Sequence, residues 1–259
     1  HRNDEPTGKL EYLRNDAAQT RVHDVTTSEA SMTLRYAPGE SFVNSKQRRV
    51  PVSLDAPVFT LTHAMGFKGV LGGEYNFNRT EASIWKRFWL PASWGKIDCS
   101  VKAGAEWNTV PFPLLILPEA NLSYITQRET FCLINNMEFL NDRFASMSIS
   151  YDMNGKLFNR IPLLKNLKWR EMFRVRALWG TLTDKNNPFK SSNPDLFRFP
   201  TRDGKFTSFV MDPKVPYVEA SVGIYNIFKL LHVEYVHRFT YRDNPGINKN
   251  GIRFMVLMV

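Results

Sequence analysis

The segment 96–107 carries the charged residues whose types and spacing come nearest to catalytic chemistry. Asp98 and Glu106 alternate along it with Lys96 and Lys102, and two carboxylates beside two amines could supply the acid and base of a hydrolase. The same four charges could instead neutralise one another along a solvated wall. We favour the solvated wall and expect a protein without enzymatic activity.

Motifs that mark catalysis, nucleotide binding or metal binding are missing from the sequence. It contains no P-loop, no dinucleotide-binding glycine pattern, no zinc signature and no nucleophile elbow. His232 and His237 would point to opposite faces of a strand, which makes them a poor metal pair, and His63 stands alone. Cys99 and Cys132 give neither a disulfide framework nor metal-ligand spacing. We therefore expect no cofactor and no metal.

The elements that position the charged side chains are strands with a regular alternation. Between residues 96 and 107, apolar side chains alternate without a break with polar residues or glycine, which gives a strand one apolar and one polar face. The segments 145–153, 173–180 and 231–241 alternate as regularly. Further strands are predicted over 29–37, 57–67, 70–90, 128–139, 217–224 and 251–259. About ten strands and no long helix predict an antiparallel all-β architecture.

The predicted strand 70–90 changes the phase of its alternation. Phe77 shares one parity with Tyr75, whereas Ala82 and Ile84 have the other parity. A bulge produces such a change of phase within one strand, so we predict a bulge near residues 79–81.

Strand length favours a membrane protein over a soluble sandwich. Several predicted strands run to about ten residues, the length of a tilted membrane-spanning strand, whereas sandwich strands are nearer five or six. A mean hydropathy of −0.33 excludes a helical membrane protein, and an aromatic content of 13% suits the aromatic girdles of a barrel. We expect an antiparallel transmembrane β-barrel in the outer membrane of a Gram-negative bacterium.

The alternation assigns strand residues to two environments. In a transmembrane barrel the apolar face meets lipid and the polar face lines a wet interior. The charged residues predicted to face the interior are Lys96, Asp98, Lys102, Glu106, Arg174, Arg176, Glu219, Glu234 and Arg238. The residues predicted to face lipid are Ile97, Val101, Ala103, Trp107, Met147, Ile149, Val175, Val233, Tyr235, Phe254 and Val256.

Two regions, 1–27 and 28–259, divide the chain into a polar lead-in and a barrel portion. Within the second region, the segment 110–124 falls where a barrel should have a short turn, so either one strand is miscounted or this segment folds into the barrel.

The amphipathic segment 157–169 contains Pro162, which favours an interfacial turn over a partner-binding helix. The net charge of +9 is spread over strands and loops, and we expect no nucleic-acid partner.

Several phrases together resemble a known family. They are "LRYAPGE", "VPFPLLILPEANLSY", "NMEFLNDRFASMSISYDMNGKLFNRIPLLKNLKWRE" and "PYVEASVGIYNIFKLLHVEYVHRFTY". They resemble the C-terminal part of a family of unknown function in Bacteroidota, whose members carry a carboxypeptidase-regulatory-like β-sandwich before an outer-membrane barrel. That family is distantly similar to the bacterial surface antigen superfamily of assembly and secretion barrels. The Arg-Gly dipeptide of that superfamily is absent here.

The resemblance implies a role in transport, assembly or surface display. The implied partners are outer-membrane lipid and lipopolysaccharide, the barrel-assembly machinery during insertion, and the upstream part of the same polypeptide. We expect the chain to be the C-terminal part of a larger barrel, with upstream strands pairing to both of its edges. Two alternatives remain: the C-terminal part of an energy-coupled nutrient receptor, and a secreted soluble β-protein that binds glycans.

Overall fold

A nine-stranded antiparallel sheet dominates the computed structural model, which describes residues 1–6, 10–44, 49–53, 55–123, 125, 130–202 and 204–256. Each strand of this sheet is hydrogen bonded to the sheet strands that precede and follow it along the chain. The strands are β1 (Glu29–Tyr36), β2 (Val58–Gly66), β3 (Phe77–Trp89), β4 (Lys96–Glu106), β5 (Arg143–Asp152), β6 (Arg170–Thr181), β7 (Tyr217–Ile227), β8 (Leu231–Arg238) and β9 (Asn250–Val256). The all-β, antiparallel prediction is confirmed.

The prediction of about ten strands is too high by one within the described part of the sheet. The predicted strand 128–139 is not one of the nine, and residues 126–129 lie outside the described residues. In the described part of this segment, Cys132 and Leu133 donate their backbone N–H groups to the side-chain carboxylate of Glu219 and not to the carbonyl groups of a neighbouring strand. Alternation alone could not reveal this, since a side chain replaces a neighbouring strand as the acceptor.

The sheet is strongly curved. Side chains from β2 through β9 line a single cavity of about 630 Å³, to which Thr60, Trp85, Ser148 and Met255 all contribute. We call the face toward this cavity the concave face and the opposite one the convex face. Curvature of this kind follows from the right-handed twist of adjacent strands.

The sheet is not closed into a barrel. Among the described residues no ladder joins β1 to β9, and β1 pairs only with β2. The outer edge of β9 has one bridge, from Phe254 to Ile125. The predicted last strand runs to residue 259, of which 257–259 lie outside the described residues.

The described residues of the long connection from β4 to β5, which are 107–123, 125 and 130–142, fold across the concave face, and we call them the in-folded segment. Glu138 of this segment is hydrogen bonded to Arg238 of β8, and the Phe131 ring lies 5.6 Å from that of Tyr217 at the start of β7. One strand was therefore miscounted. Within 110–124, Glu119 accepts a hydrogen bond from Lys102 of β4, so described residues of this segment also contact the sheet. That the segment folds into a barrel stays a prediction.

The bulge predicted near residues 79–81 is wrong. β3 pairs with β2 and β4 without a register shift, and the irregularity lies instead in β7, between Ile224 and Ile227. Phe77 changes the pattern for another reason, because it points to the concave side and is buried in an apolar cluster with Tyr12 and Phe112.

The described residues of the lead-in, 1–6 and 10–27, contribute Tyr12 and Val25 to that cluster. They form two short ladders, Arg2–Asp4 with Val25–Thr27 and Tyr12–Leu13 with Arg21–Val22. Other short ladders join Phe42–Asn44 to Arg49–Pro51 and Thr201–Arg202 to Lys205–Phe206. The domain boundary at residue 27 stays a prediction.

Helical structure among the described residues consists of short elements of three to six residues. The segment 157–169 contains a 3-10 turn, Phe158–Arg160, and one short α-helix, α1 (Pro162–Leu167), with Pro162 in its first turn. Two further 3-10 turns are Phe112–Leu114 and Asp184–Asn186. In the described part of the chain, none of the helices has the length and apolar character needed to span a membrane.

Candidate functional site

The convex face of the sheet is apolar and exposed. Val256 is 61% exposed, Tyr235 50% and Val101 46%. Of the residues predicted to face lipid, Ala103, Trp107, Val175 and Phe254 are also exposed, and Ile97, Met147, Ile149 and Val233 are half-buried. All lie on this face or, for Trp107, just beyond the end of β4.

The concave face carries the charged residues, many of them deeply buried. Lys96, Asp98 and Lys102 are half-buried and line the large cavity. The other residues predicted to face the interior, all buried, are Glu106, Arg174, Arg176, Glu219, Glu234 and Arg238. A buried charge is costly unless it is paired and hydrogen bonded, so the partners of these groups define the site.

Glu219 of β7 is the most heavily hydrogen-bonded carboxylate of the site. Arg176 Nη1 donates to it at 2.9 Å from the neighbouring strand, and Tyr217 donates its hydroxyl at 2.9 Å. The N–H groups of Cys132 and Leu133 donate at 2.8 and 3.1 Å. Glu219 thereby ties the in-folded segment to the sheet.

A second pair, Arg238 of β8 with Glu138 of the in-folded segment, is bidentate. Its two hydrogen bonds measure 2.6 and 3.0 Å. The Arg238 guanidinium also lies 4.8 Å from the Tyr217 ring centroid, within range of a cation–π contact. Asn244 donates to Glu138 at 2.9 Å, so the carboxylate has partners on more than one side.

The third pair joins Arg174 to Glu234, with both carboxylate oxygens 3.0 Å from Arg174 Nη1. Ser221 donates its hydroxyl to Glu234, and His232 Nε2 lies 3.4 Å from the same carboxylate. A serine, a histidine and a glutamate here do not form a hydrolytic triad. The serine is bonded to the glutamate rather than to the histidine, so the histidine is not placed to accept its proton.

Three more of the charged residues predicted to face the interior are also paired. Glu106 lies 3.5 Å from Arg79 and accepts N–H bonds from the backbone. Nearer the cavity, Asp98 accepts two bonds from Arg87, and Lys102 donates to Glu119 at 2.6 Å. The carboxylate and amine groups of segment 96–107 are thus separated into different pairs, and they do not converge as an acid and base would.

Burial raises the pKa of the Cys132 thiol, and the nearby Arg176 guanidinium acts in the opposite direction. Arg176 Nη1 lies 3.3 Å from the sulfur. Cys132 and Cys99 are both free thiols. Among the described residues no cluster of three or more histidine, cysteine, aspartate or glutamate side chains is arranged to hold a metal ion.

Sequence reasoning missed the part of the site that the in-folded segment supplies. Glu138, Cys132 and Tyr217 were not predicted as site residues, although each contacts one of the buried pairs. The available signal was the one charged residue, Glu138, in the segment 131–140, which is otherwise apolar except for Asn135 and Asn136, because an uncompensated carboxylate in such surroundings needs a cationic partner.

Comparison with known families assigns the chain. A family model described as the C-terminal domain of a family of unknown function, DUF5686, matches residues 5–189. The chain belongs to this family. The DUF5686 match includes β1 to β6 and the whole in-folded segment, and it ends before β7, which carries Glu219. No curated protein matches the chain.

The prediction that the chain resembles a family of unknown function is therefore confirmed.

Proposed function

We propose that this chain is the C-terminal part of an outer-membrane β-barrel of transport, assembly or surface-display type, without catalytic activity. One observation carries the proposal: charged side chains such as Arg176 and Arg238 are buried, while Val101, Tyr235 and Val256 are exposed. A soluble protein has the opposite distribution. A barrel in lipid, with a polar interior, has this one.

The size of the exposed face supports lipid over water. Nine strands about 4.8 Å apart and roughly ten residues long present an area on the order of 1,000 Å² on the convex side. The largest apolar patch of a soluble monomer is typically a few hundred Å². One cross-strand row of this face also contains Phe88, Tyr151, Phe173 and Tyr235, which is the composition of an aromatic girdle.

Further strands of the same polypeptide would complete the barrel. An open edge at β1 leaves N–H and C=O groups without partners, which lipid does not supply. The family resemblance adds an upstream carboxypeptidase-regulatory-like domain and a place in the outer membrane of Bacteroidota. The partners proposed with it are lipopolysaccharide and the barrel-assembly machinery during insertion.

Cysteine accessibility in native membranes tests the proposal. In full-length protein with Cys99 and Cys132 replaced by alanine, Val101→Cys and Ser100→Cys place thiols on opposite faces of β4. A small water-soluble maleimide should label the Ser100→Cys protein, which faces the large cavity. It should leave the Val101→Cys protein unlabelled until detergent or denaturant is added.

A soluble protein gives the opposite result, since Val101 is exposed on the convex face. Rapid labelling of the Val101→Cys protein, together with full-length protein that stays monodisperse without detergent, would contradict the membrane assignment. That outcome would favour the soluble glycan-binding alternative.

A further inference from the structure

Three connections at one end of the sheet are joined into a single surface, which we call the turn surface. They are 90–95 between β3 and β4, 153–169 between β5 and β6, and 228–230 between β7 and β8. Lys156 Nζ donates to the carbonyl of Ala92 at 2.8 Å and lies 5.2 Å from the Trp94 ring centroid. Asn226, near the end of β7, donates to the carbonyl of Lys168 at 2.7 Å. These contacts hold the three connections side by side.

The turn surface carries cations and no aspartate or glutamate. Its charged residues are Lys156, Arg160, Lys165, Lys168 and Lys229, and all except the half-buried Lys156 are exposed. Two carboxylates flank the segment 153–169. Asp152 is paired with Lys96, and Glu171 is only 3% exposed. The charge that this surface presents to its surroundings is therefore positive.

Large apolar side chains lie exposed between these cations. Phe228 is 82% exposed, Leu163 73% and Leu230 51%. Ile161, Leu167 and Trp94 are exposed as well. Cations beside exposed leucine, phenylalanine and tryptophan are typical of segments that lie at the boundary between lipid headgroups and acyl chains. A nucleic acid would satisfy the cations and leave the apolar side chains in water.

We propose that the turn surface binds the phosphate groups of anionic phospholipids, with Leu163, Phe228 and Leu230 inserted at the acyl-chain boundary. The inference deepens the proposed function and rests on it, because it names the lipid and the end of the sheet that meets it. Basic residues beside a membrane strengthen its binding when the surface is anionic.

The lengths of the connections favour phospholipid over lipopolysaccharide as the source of the phosphate. The two longest connections, 107–142 and 182–216, lie at the opposite end of the sheet. Outer-membrane barrels keep their longer connections on the outside of the cell. On that orientation the turn surface faces the inner leaflet of the outer membrane, which consists of phospholipid.

Native mass spectrometry of the full-length protein tests the inference, in detergent or in plain buffer, whichever keeps the protein in solution. The probes are dioleoyl phosphatidylglycerol, which is anionic, and dioleoyl phosphatidylcholine, which has the same acyl chains and no net charge. Phosphatidylglycerol should bind at least tenfold more tightly, because each cation at such a surface contributes about fivefold. Replacing Arg160, Lys165 and Lys168 together by glutamine should remove most of this preference.

A matched variant controls for the loss of net charge. Lys190, Lys205 and Lys214 are exposed on the connection 182–216 at the opposite end, and replacing these three by glutamine should leave the preference unchanged. Phe228→Ser should weaken the binding of both lipids by a similar factor and keep the preference. All seven substituted positions are exposed, so the variants should fold normally.

Four results would overturn the inference. They are equal binding of the two lipids, the same preference in both triple variants, unchanged binding by the Phe228→Ser protein, and tighter binding of lipid A than of phosphatidylglycerol. The first would leave the cations to an acidic protein partner, and the last would assign the surface to lipopolysaccharide.

The lipid titration and the membrane test fail separately. Preference for phosphatidylglycerol in a protein that needs no detergent would refute the barrel and keep the turn surface as a site that binds membranes from outside. A membrane-embedded protein that binds both lipids equally would do the reverse.

Discussion

Arg238 donates two hydrogen bonds to Glu138, a residue 100 positions earlier in the chain. The Arg238 side chain has no exposed surface, and that of Glu138 has 2%. Two charges removed from water in this way stabilise each other only as a pair. Each side chain therefore fixes the position of the other, and with it the position of the in-folded segment on the sheet.

Removing one partner of this pair should destabilise the fold strongly. We expect Glu138→Ala to lower the free energy of unfolding by about 3–5 kcal/mol, because Arg238 is left buried and uncompensated. Urea unfolding of the refolded protein measures this decrease in the free energy of unfolding. Asp184→Asn breaks the exposed pair with Lys190 and should cost less than about 1 kcal/mol. Equal costs for the two variants would contradict the buried pairing.

Arginine on the convex face should be far more harmful than loss of a charge from the concave face. Ala103 is exposed and lies between Ala82 and Ala145. In a bilayer we expect Ala103→Arg to cost about 2–4 kcal/mol at the midplane. Lys102→Ala removes a half-exposed pair with Glu119 and should cost about 1 kcal/mol or less. Refolding into lipid vesicles measures both, and equally mild effects would show that the faces are wrongly assigned.

Gly66 has no room for a side chain. A Cβ at this position would overlap the Phe77 ring, which is held in the buried cluster with Tyr12. We expect Gly66→Ala to destabilise the fold by about 1–3 kcal/mol. In a Phe77→Leu background the same change should cost clearly less, because the two sites are in contact. Additive effects in the double variant, measured by denaturant unfolding, would place the strain elsewhere.

The Cys132 thiol should be unreactive and should make stability depend on pH. Burial raises its pKa above the ordinary value of 9.0, so the unfolded chain loses this proton at a lower pH than the folded protein does. Its contribution to stability is complete below about pH 9 and decreases as pH rises toward the folded-state pKa.

In a Cys99→Ala background, iodoacetamide should therefore modify Cys132 only after unfolding. The free energy of unfolding should fall more steeply above pH 9 than it does for a variant in which Cys132 is also alanine. Identical pH profiles for the two proteins would mean that the thiol ionises as freely in the folded state as in the unfolded one.

The sheet could be predicted from the sequence because its side chains alternate with local regularity. The segments 96–107 and 231–241 were assigned correctly as strands, although the second strand ends at Arg238, since a face that meets one environment throughout requires an unbroken period of two. Segment 128–139 has a similar alternation and was assigned wrongly, because its partner, Glu219, is far away in sequence. Periodicity reports which way side chains point and not what the backbone bonds to.

The buried pairs were only half predictable. Arg174, Arg176, Glu234 and Arg238 were placed on one face by parity, but parity cannot say which cation meets which carboxylate. The pairing depends on register and curvature, which bring Glu234 of β8 to Arg174 of β6 across the intervening strand. Glu138 was missed because the alternation of 128–139 indicated a strand and could not reveal a cationic partner 100 residues further along the chain.

The route of the in-folded segment also sets the order in which the protein can fold. The segment follows β4 in the chain, yet its anchors are Glu219 and Arg238, which lie 87 and 100 residues beyond Cys132 and Glu138 respectively. Neither anchor exists in place until β7 and β8 have paired. Contacts of such sequence separation form slowly, because loop-closure entropy must be overcome first. We therefore expect the contacts of Cys132, Leu133 and Glu138 with these two anchors to form late in folding, and a chain whose synthesis stops after β6 lacks both of them.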